Sequence, residues 1–243
     1  MNDTNSPDRL FFEFERSETR LSYMVCSIPR SGSSLLCELL TDTGLAGAPA
    51  EFFSPSRMDV LKQGWGVQTL DEYVRELLAR KTSPNGVFGV KAHWSQYNAV
   101  FEGADPQTVL PSPRFVFITR GDRLRQAVSW VRALQTRRFT AQDRSQAGRR
   151  PLYDREGITQ KLRRIDREEK VWEKLFDRYG IVPHRVVYED LVAAEEGTVR
   201  GVLGALGLDP PVDLRLVPPV HDRQADELSD EWVERYLAEA RTG

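Results

Sequence analysis

Short continuous runs of apolar residues recur along the chain, and most are followed by stretches in which apolar residues fall three or four positions apart. Continuous runs rich in β-branched and aromatic residues are typical of buried strands. The sequence therefore predicts strands at 23–28, 87–91, 114–119 and 185–188.

The stretches with helical spacing supply the second kind of element. In residues 69–81, for example, Leu70, Tyr73 and Leu77 share one helical face. Helices are predicted at about 34–41, 69–81, 122–136, 158–179 and 197–206, with a last helix capped by Ser229. Because strands alternate with helices, we predict an α/β domain built on a parallel sheet.

Two stretches lack such a pattern. Residues 1–21 are mostly polar and form an N-terminal extension of unassigned structure, which leaves 22–243 as one domain. Residues 137–156 are rich in Arg, Gln and Asp with few apolar positions, so we expect an exposed, mobile segment. Their arginine content suggests a lid on the acceptor side of a site.

Composition narrows the class of protein. Lys and Arg total 34 against 36 Asp and Glu, so the chain lacks the broad basic field that nucleic-acid binding requires. Cys26 and Cys37 lie in apolar runs and are expected to be reduced thiols. No apolar run has membrane-spanning length and no signal peptide is evident, so we expect a soluble, cytoplasmic protein without stable membrane insertion.

The segment SIPRSGSS, residues 27–34, joins the first strand to the first helix. Small residues before a helix N-terminus leave backbone N–H groups free to bind an anion. A Walker A loop would carry Gly-Lys-[ST], whereas here Arg30 precedes the glycine. The loop is thus suited to an anion but not to metal-assisted triphosphate hydrolysis, although by itself it is equally consistent with an ordinary Ser/Gly turn.

Further motifs in the same order resemble those of sulfotransferases that use 3′-phosphoadenosine 5′-phosphosulfate (PAPS). Arg30-Ser-Gly-Ser-Ser resembles their 5′-phosphosulfate loop, and Ile118-Thr119-Arg120 with Ser129 resembles their 3′-phosphate element. The closest resemblance is to the bacterial trehalose 2-sulfotransferase-like family. It rests on RSGSSLLCELL, TGLAGAPAEFF, GVFGVK, RGDRLRQAVS and RQADELSDEWVERY, which together span about residues 22 to 240.

This resemblance implies a three-layer, P-loop-like sulfotransferase fold with a central parallel sheet flanked by helices. It also implies PAPS as donor, no metal, a hydroxyl of a carbohydrate or glycoconjugate as acceptor, and a homodimer. The acceptor would be a small molecule or a glycolipid. Trehalose itself is less strongly implied, because Ala48 and His93 depart from the family pattern.

The donor residues follow from the same resemblance. On the 5′ side we expect Arg30, Ser31, Gly32, Ser33 and Ser34. On the 3′ side we expect Arg120 and Ser129, although their spacing is nine residues where eight is common, and Arg123 is an alternative. Arg223, ahead of the last helix, is expected to close over the nucleotide or to reach the acceptor.

Two residues compete for the role of general base, and the sequence leaves both open. Glu51 lies where the family places acceptor-binding carboxylates, whereas His93 belongs to a Lys91-Ala92-His93 motif that resembles the Lys-x-His of cytosolic sulfotransferases. In that motif Lys91 stabilises the transferring group. Histidine has the unperturbed pKa better suited to proton transfer at neutral pH.

Three aromatic residues are candidates for an acceptor platform, namely Phe53, Trp94 and Trp130, although aromatics in such positions more often belong to the core. Two alternative functions stay open: a P-loop-like kinase of a small metabolite, which the missing Gly-Lys-[ST] disfavours, and an inactive regulator that binds the nucleotide without turnover.

Overall fold

The fold is a parallel four-stranded sheet, described by a computed structural model over residues 12–137, 151–216 and 227–242. The strands are β1 (Leu21–Ser27), β2 (Val87–His93), β3 (Pro113–Thr119) and β4 (His184–Val187), in the order β2-β1-β3-β4. All neighbouring pairs are parallel. The predicted strands and sheet type are confirmed.

The strands end level with one another at one edge of the sheet. Ser27, the last residue of β1, is paired with His93 of β2 and with Ile118 of β3. The segments that leave β1, β2 and β3 therefore begin side by side, where ligands of parallel α/β sheets commonly bind.

Helices surround the sheet throughout the described ranges. They are α1 (Ser33–Asp42), α2 (Pro55–Trp65), α3 (Leu70–Lys81), α4 (Trp94–Phe101), α5 (Arg123–Thr136), α6 (Arg155–Tyr179), α7 (Tyr188–Ala193), α8 (Glu195–Ala205) and α9 (Glu227–Thr242). Three of them, α2, α4 and α7, have no counterpart among the predicted helices. They are short, and helical periodicity is weak over so few turns.

Two cores lie on opposite faces of the sheet, because successive side chains of a strand point to opposite sides. Met24 and Cys26 of β1 face the core that is covered by α2, α3, α4, α5, α6 and α9. Tyr23 and Val25 face the core that is covered by α1, α7 and α8. The expected three-layer α/β arrangement is therefore confirmed.

Two element boundaries differ from the sequence prediction. Ser229 does not cap the last helix: α9 begins at Glu227, and Ser229 is buried and accepts a hydrogen bond from Arg132. Helix α6 begins at Arg155, inside the segment predicted to be exposed, because Asp154 accepts a hydrogen bond from the Gly157 N–H at 2.8 Å. Residues 138–150 of that segment lie outside the described residues.

Residues 12–20 of the N-terminal extension lie along α3. The Phe14 N–H donates to the Arg80 carbonyl at 2.9 Å, and the Trp65 indole N–H donates to Glu13 at 2.8 Å. Both cysteines are buried thiols, as expected. Within the described part of the chain, no helix combines the length and the apolar character needed to cross a bilayer.

The packing of β2 against β1 generates a stability prediction. Gly89→Ala is expected to lower the free energy of unfolding by about 1–3 kcal/mol, since the added methyl would lie 2.6 Å from the buried Tyr23 ring. The Tyr23 hydroxyl donates to the Ala46 carbonyl at 2.8 Å, so the ring cannot move away freely.

Gly64→Ala in α2 is the matched control, because nothing lies within 4 Å of the methyl it would add. Its free energy of unfolding should stay the same or rise by up to about 1 kcal/mol, as alanine favours helices. Urea denaturation of the parent and of both variants measures these free energies of unfolding. A Gly89→Ala protein as stable as the parent would contradict the packing described.

Candidate active site

The segment after β1 forms a tight loop with an unpaired helix start. Arg30 and Gly32 both have positive φ, at 67° and 89°, and the Ser31 N–H donates back to the Ile28 carbonyl at 3.3 Å. Gly32 caps α1 without any side-chain hydrogen bond. The first N–H groups of α1 therefore have no side-chain acceptor and are suited to bind an anion.

Helix α5 holds this loop at two points. The Gln126 amide donates to the Pro29 carbonyl at 2.9 Å, and Arg30 Nε donates to Ser129 Oγ at 2.9 Å. Ser129, which the sequence paired with Arg120 on the 3′ side of the donor site, thus contacts Arg30 of the 5′ loop. Sequence reasoning missed Gln126. The one signal for its role was that a polar residue occupies a helix position whose spacing predicts burial.

Arg120 lies just beyond β3, where the sequence predicted a 3′-phosphate ligand. Its guanidinium carbon is 4.5 Å from the centre of the Tyr188 ring, and its Nε lies 3.9 Å from a Glu189 oxygen. That Nε is buried and has no hydrogen-bond partner among the described residues. By contrast, Arg123 binds two carboxylates of α6, Asp166 and Glu169.

Glu189 fixes the turn that carries Arg120. Its carboxylate accepts hydrogen bonds from the N–H groups of Gly121, at 2.9 Å, and Asp122, at 3.1 Å. Burial works against ionisation, but the backbone donors and Arg120 together lower the pKa of the Glu189 carboxyl. An ionised Glu189 therefore holds the Arg120 backbone in place.

Lys91 joins the phosphate loop to Glu51. Its ammonium lies 2.8 Å from Glu51 Oε1 and donates to Ser34 Oγ at 2.9 Å. The Lys91 N–H also donates to the Ala50 carbonyl at 2.9 Å, which ties the Glu51 segment to the edge of β2. Lys91 is only 6% exposed, so both partners act on a nearly dehydrated charge.

The other oxygen of Glu51 is held from α4. Gln96 donates to Glu51 Oε2 at 2.7 Å and accepts from the His93 N–H at 2.9 Å. Burial opposes ionisation of Glu51, but Lys91 and His93 outweigh it and hold the pKa of the carboxyl well below its usual value. Gln96 was not anticipated, because α4 itself was not.

His93 is also close to the Glu51 carboxylate, near the same oxygen that Lys91 contacts. Its Nε2 is 3.7 Å from Glu51 Oε1, and its Nδ1 is 2.9 Å from Ser27 Oγ. The Trp172 indole donates to the Ser27 carbonyl at 3.1 Å. Burial lowers the pKa of His93 to about 4, and the nearby Glu51 carboxylate offsets only part of that effect. His93 is therefore neutral at neutral pH.

The expected aromatic platform is not formed. Phe53 is fully buried, and Trp130 is 5% exposed with Lys161 and Arg164 over its ring. Trp94 packs edge-on against Trp172 at 5.2 Å. Phe53 thus lies in the apolar core, and Trp94 is partly buried and packs against that core.

The structure brings most predicted residues together at the carboxyl edge of the sheet. Contacts connect Ser34, Lys91, Glu51 and His93 in one series and Arg30 with Ser129 in another. Ser31 and Ser33 are buried in the loop and at the start of α1. Arg223 lies outside the described residues.

Comparison with known proteins decides the family. A family model described as Stf0 sulphotransferase matches residues 22–239. The chain belongs to the Stf0 sulphotransferase family. The matches give the kinase alternative no support.

Two known proteins resemble the chain over most of its length. Trehalose 2-sulfotransferase of Mycobacterium tuberculosis (strain ATCC 35801 / TMC 107 / Erdman) is 32% identical over 257 residues, covering 90% of this chain and 95% of that protein. The enzyme of the same name from Mycolicibacterium smegmatis is 32% identical over 264 residues, covering 93% and 97%. Among solved structures, the sulfotransferase domain of the Synechococcus PCC 7002 olefin synthase is 13% identical, with a TM-score of 0.47 and coverage of 92% and 90%.

The burial of His93 generates a pH prediction. Its pKa is about 4 in the folded protein and 6.5 when unperturbed, so between these values the unfolded chain binds a proton that the folded protein does not. The free energy of unfolding should therefore fall as the pH drops through this window, by about 2 kcal/mol between about pH 7 and about pH 5.

Urea denaturation of the parent and of His93→Gln at both pH values measures this difference. The variant should lack the part of the fall in the free energy of unfolding that protonation of His93 causes. NMR titration of the imidazole provides a direct check. A His93 pKa at or above 6.5 would contradict the burial described.

Proposed function

We propose that the protein transfers the sulfuryl group of PAPS to a hydroxyl of a small sugar such as trehalose. Membership of the Stf0 family supports sulfuryl transfer, and the two trehalose 2-sulfotransferases support the acceptor class. The observation that carries the proposal is the position of Lys91, whose ammonium contacts both Ser34 of the anion loop and Glu51.

The residues present fit PAPS at both of its phosphate-bearing ends. In the loop, the Ser31 hydroxyl is buried with no hydrogen-bond partner in the described part of the chain, and Gly32 leaves the backbone open where a Cβ would collide with Tyr188. Across the edge of the sheet, Arg120 Nε is likewise buried without a hydrogen bond to any described residue. Arg30 and the α1 N-terminus would hold the 5′ side, and Arg120 the 3′-phosphate.

When bound, PAPS supplies the sulfuryl group and leaves as adenosine 3′,5′-bisphosphate. Lys91 is the cation nearest to both the loop and Glu51, so it is suited to stabilise negative charge that develops between them. We propose no metal ligand in this role.

Glu51 is the proposed general base. Its carboxylate is ionised, and its side chain is 22% exposed against 13% for His93. Because Lys91 has a second partner in Ser34, its ammonium can shift toward the loop, and the basicity of Glu51 Oε1 then rises. His93, held at Nδ1 by Ser27, would orient this oxygen rather than take the proton.

Trehalose is the acceptor that the relatives favour, with Glu51 as the carboxylate nearest to the reacting hydroxyl. Ala48 and His93 still depart from the expected family pattern, so another sugar of similar size is an outcome that an acceptor screen should include. The homodimer, the cytoplasmic location and the acceptor-side lid stay predictions.

Calorimetric titration tests the donor. Adenosine 3′,5′-bisphosphate should bind more tightly than AMP, whereas ATP with Mg²⁺ should show no preference over AMP. Arg120→Ala should weaken bisphosphate binding by about 10- to 100-fold, since it removes a charged hydrogen-bond donor.

Arg123→Ala is the matched control, because Arg123 is also at the carboxyl edge of β3 but is bound to Asp166 and Glu169. It should leave the affinity close to that of the parent. Tighter binding of ATP with Mg²⁺ than of the bisphosphate would refute PAPS as the donor.

Kinetics of two variants test the base. Glu51→Gln should lower kcat by about 10²- to 10⁴-fold, because the amide cannot accept the proton, while bisphosphate affinity stays near that of the parent. His93→Asn should lower kcat by less than about 10-fold. The reverse order of effects would assign the base to His93, and full activity in both variants would exclude both residues.

A further inference from the structure

One aromatic ring contacts both halves of the proposed donor site. Tyr188 begins α7, directly after β4. One face of its ring lies 4.5 Å from the Arg120 guanidinium carbon. The same ring also packs on Gly32 of the anion loop, where an added Cβ would lie only 2.4 Å from Tyr188 Cδ2 and 3.1 Å from Cε2.

These two contacts span three strands of the sheet. Gly32 follows β1, Arg120 follows β3, and Tyr188 follows β4, which is the neighbour of β3 but not of β1. The Tyr188 ring therefore reaches past the Arg120 turn to the loop beyond it. The Tyr188 ring is thus in contact with both Arg120 and Gly32.

The neighbouring residue strengthens this connection. Glu189 accepts hydrogen bonds from the Gly121 and Asp122 N–H groups, so the backbone beside Arg120 is fixed to the same short helix that presents the ring. Tyr188 and Glu189 thus set both the side chain and the backbone of the Arg120 turn relative to the anion loop.

On the basis of the donor proposed above, we propose that the Tyr188 ring is a positioning residue that sets the distance between the 5′-phosphate loop and the 3′-phosphate arginine. It thereby makes the site selective for a nucleotide that carries phosphates at both positions. The ring acts through its cation–π contact with the Arg120 guanidinium and through its close packing on Gly32, and not through its hydroxyl.

The tightness of the Gly32 contact explains why a ring suits this role. A planar side chain can approach a glycine Cα closely, and a guanidinium stacks on an aromatic face with an attraction that a flexible aliphatic side chain lacks. A leucine at 188 would still cover apolar surface, but it would not hold the Arg120 guanidinium at a fixed distance from Gly32.

Calorimetric affinities of AMP and of adenosine 3′,5′-bisphosphate test the proposal. The readout is the dissociation constant of AMP divided by that of the bisphosphate, which measures the preference for the bisphosphate. Tyr188→Leu should reduce this ratio by about 10-fold, the size of one cation–π contact. The affinity for AMP, which lacks the 3′-phosphate, should change by less than about 3-fold. Tyr188→Phe keeps the ring and should preserve the ratio.

A double-variant cycle separates positioning from a general structural defect. If the ring acts through Arg120, then Arg120→Ala should reduce the ratio much less in the Tyr188→Leu background than in the parent. Circular dichroism and thermal unfolding of each variant verify that it is folded. Should Tyr188→Leu not fold, Tyr188→Met, which also lacks a ring but keeps a long apolar side chain, replaces it and should reduce the ratio in the same way.

Three results would overturn the proposal. An equal loss in Tyr188→Phe and Tyr188→Leu would assign the effect to the hydroxyl. An equal weakening of AMP and bisphosphate would mean that Tyr188 supports the loop alone, and additive effects of the Tyr188 and Arg120 changes would mean that they act independently. Failure of the parent protein to prefer the bisphosphate over AMP would instead refute the proposed donor, so the two failures are distinguishable.

Discussion

The buried ammonium of Lys91 is the interaction on which the site depends. Moving a charged group out of water costs roughly several kcal/mol of free energy, unless partners replace the lost hydration. Ser34 and Glu51 supply those partners, and they come from two different segments of the chain. Satisfying one charge on β2 therefore fixes the anion loop and the Glu51 segment relative to each other, at the edge of the sheet where we propose that sulfuryl transfer occurs.

Around this charge, each functional group is held by a residue that is not itself expected to react. Gln96 orients Glu51, Ser27 orients His93, and Gln126 holds the loop ahead of Arg30. These supporting bonds are made at partly buried positions, where competition from water is reduced. Family membership explains why such a framework serves sulfuryl transfer, and the geometry explains how the framework keeps its shape.

The comparison of sequence with structure separates two kinds of information. The four strands and the long helices were predicted, because continuous apolar runs and helical spacing are local properties. Helices α2, α4 and α7 were not, and with α4 the role of Gln96 was missed. The proposed platform at Phe53 and Trp130 was wrong, because an aromatic pattern does not reveal whether a ring faces a cleft or the core.

The sequence by itself determined the α/β class, the anion loop without a Walker lysine, and the residue types available for donor binding and proton transfer. Only the tertiary structure decided which of these side chains meet. Lys91 and Ser34 are distant in the sequence, as are Arg30 and Ser129, and their contacts arise because parallel strands end at one edge of the sheet. The position of Tyr188 between Gly32 and Arg120 was decided in the same way, since strand order is set by packing of the whole sheet and not by any local pattern.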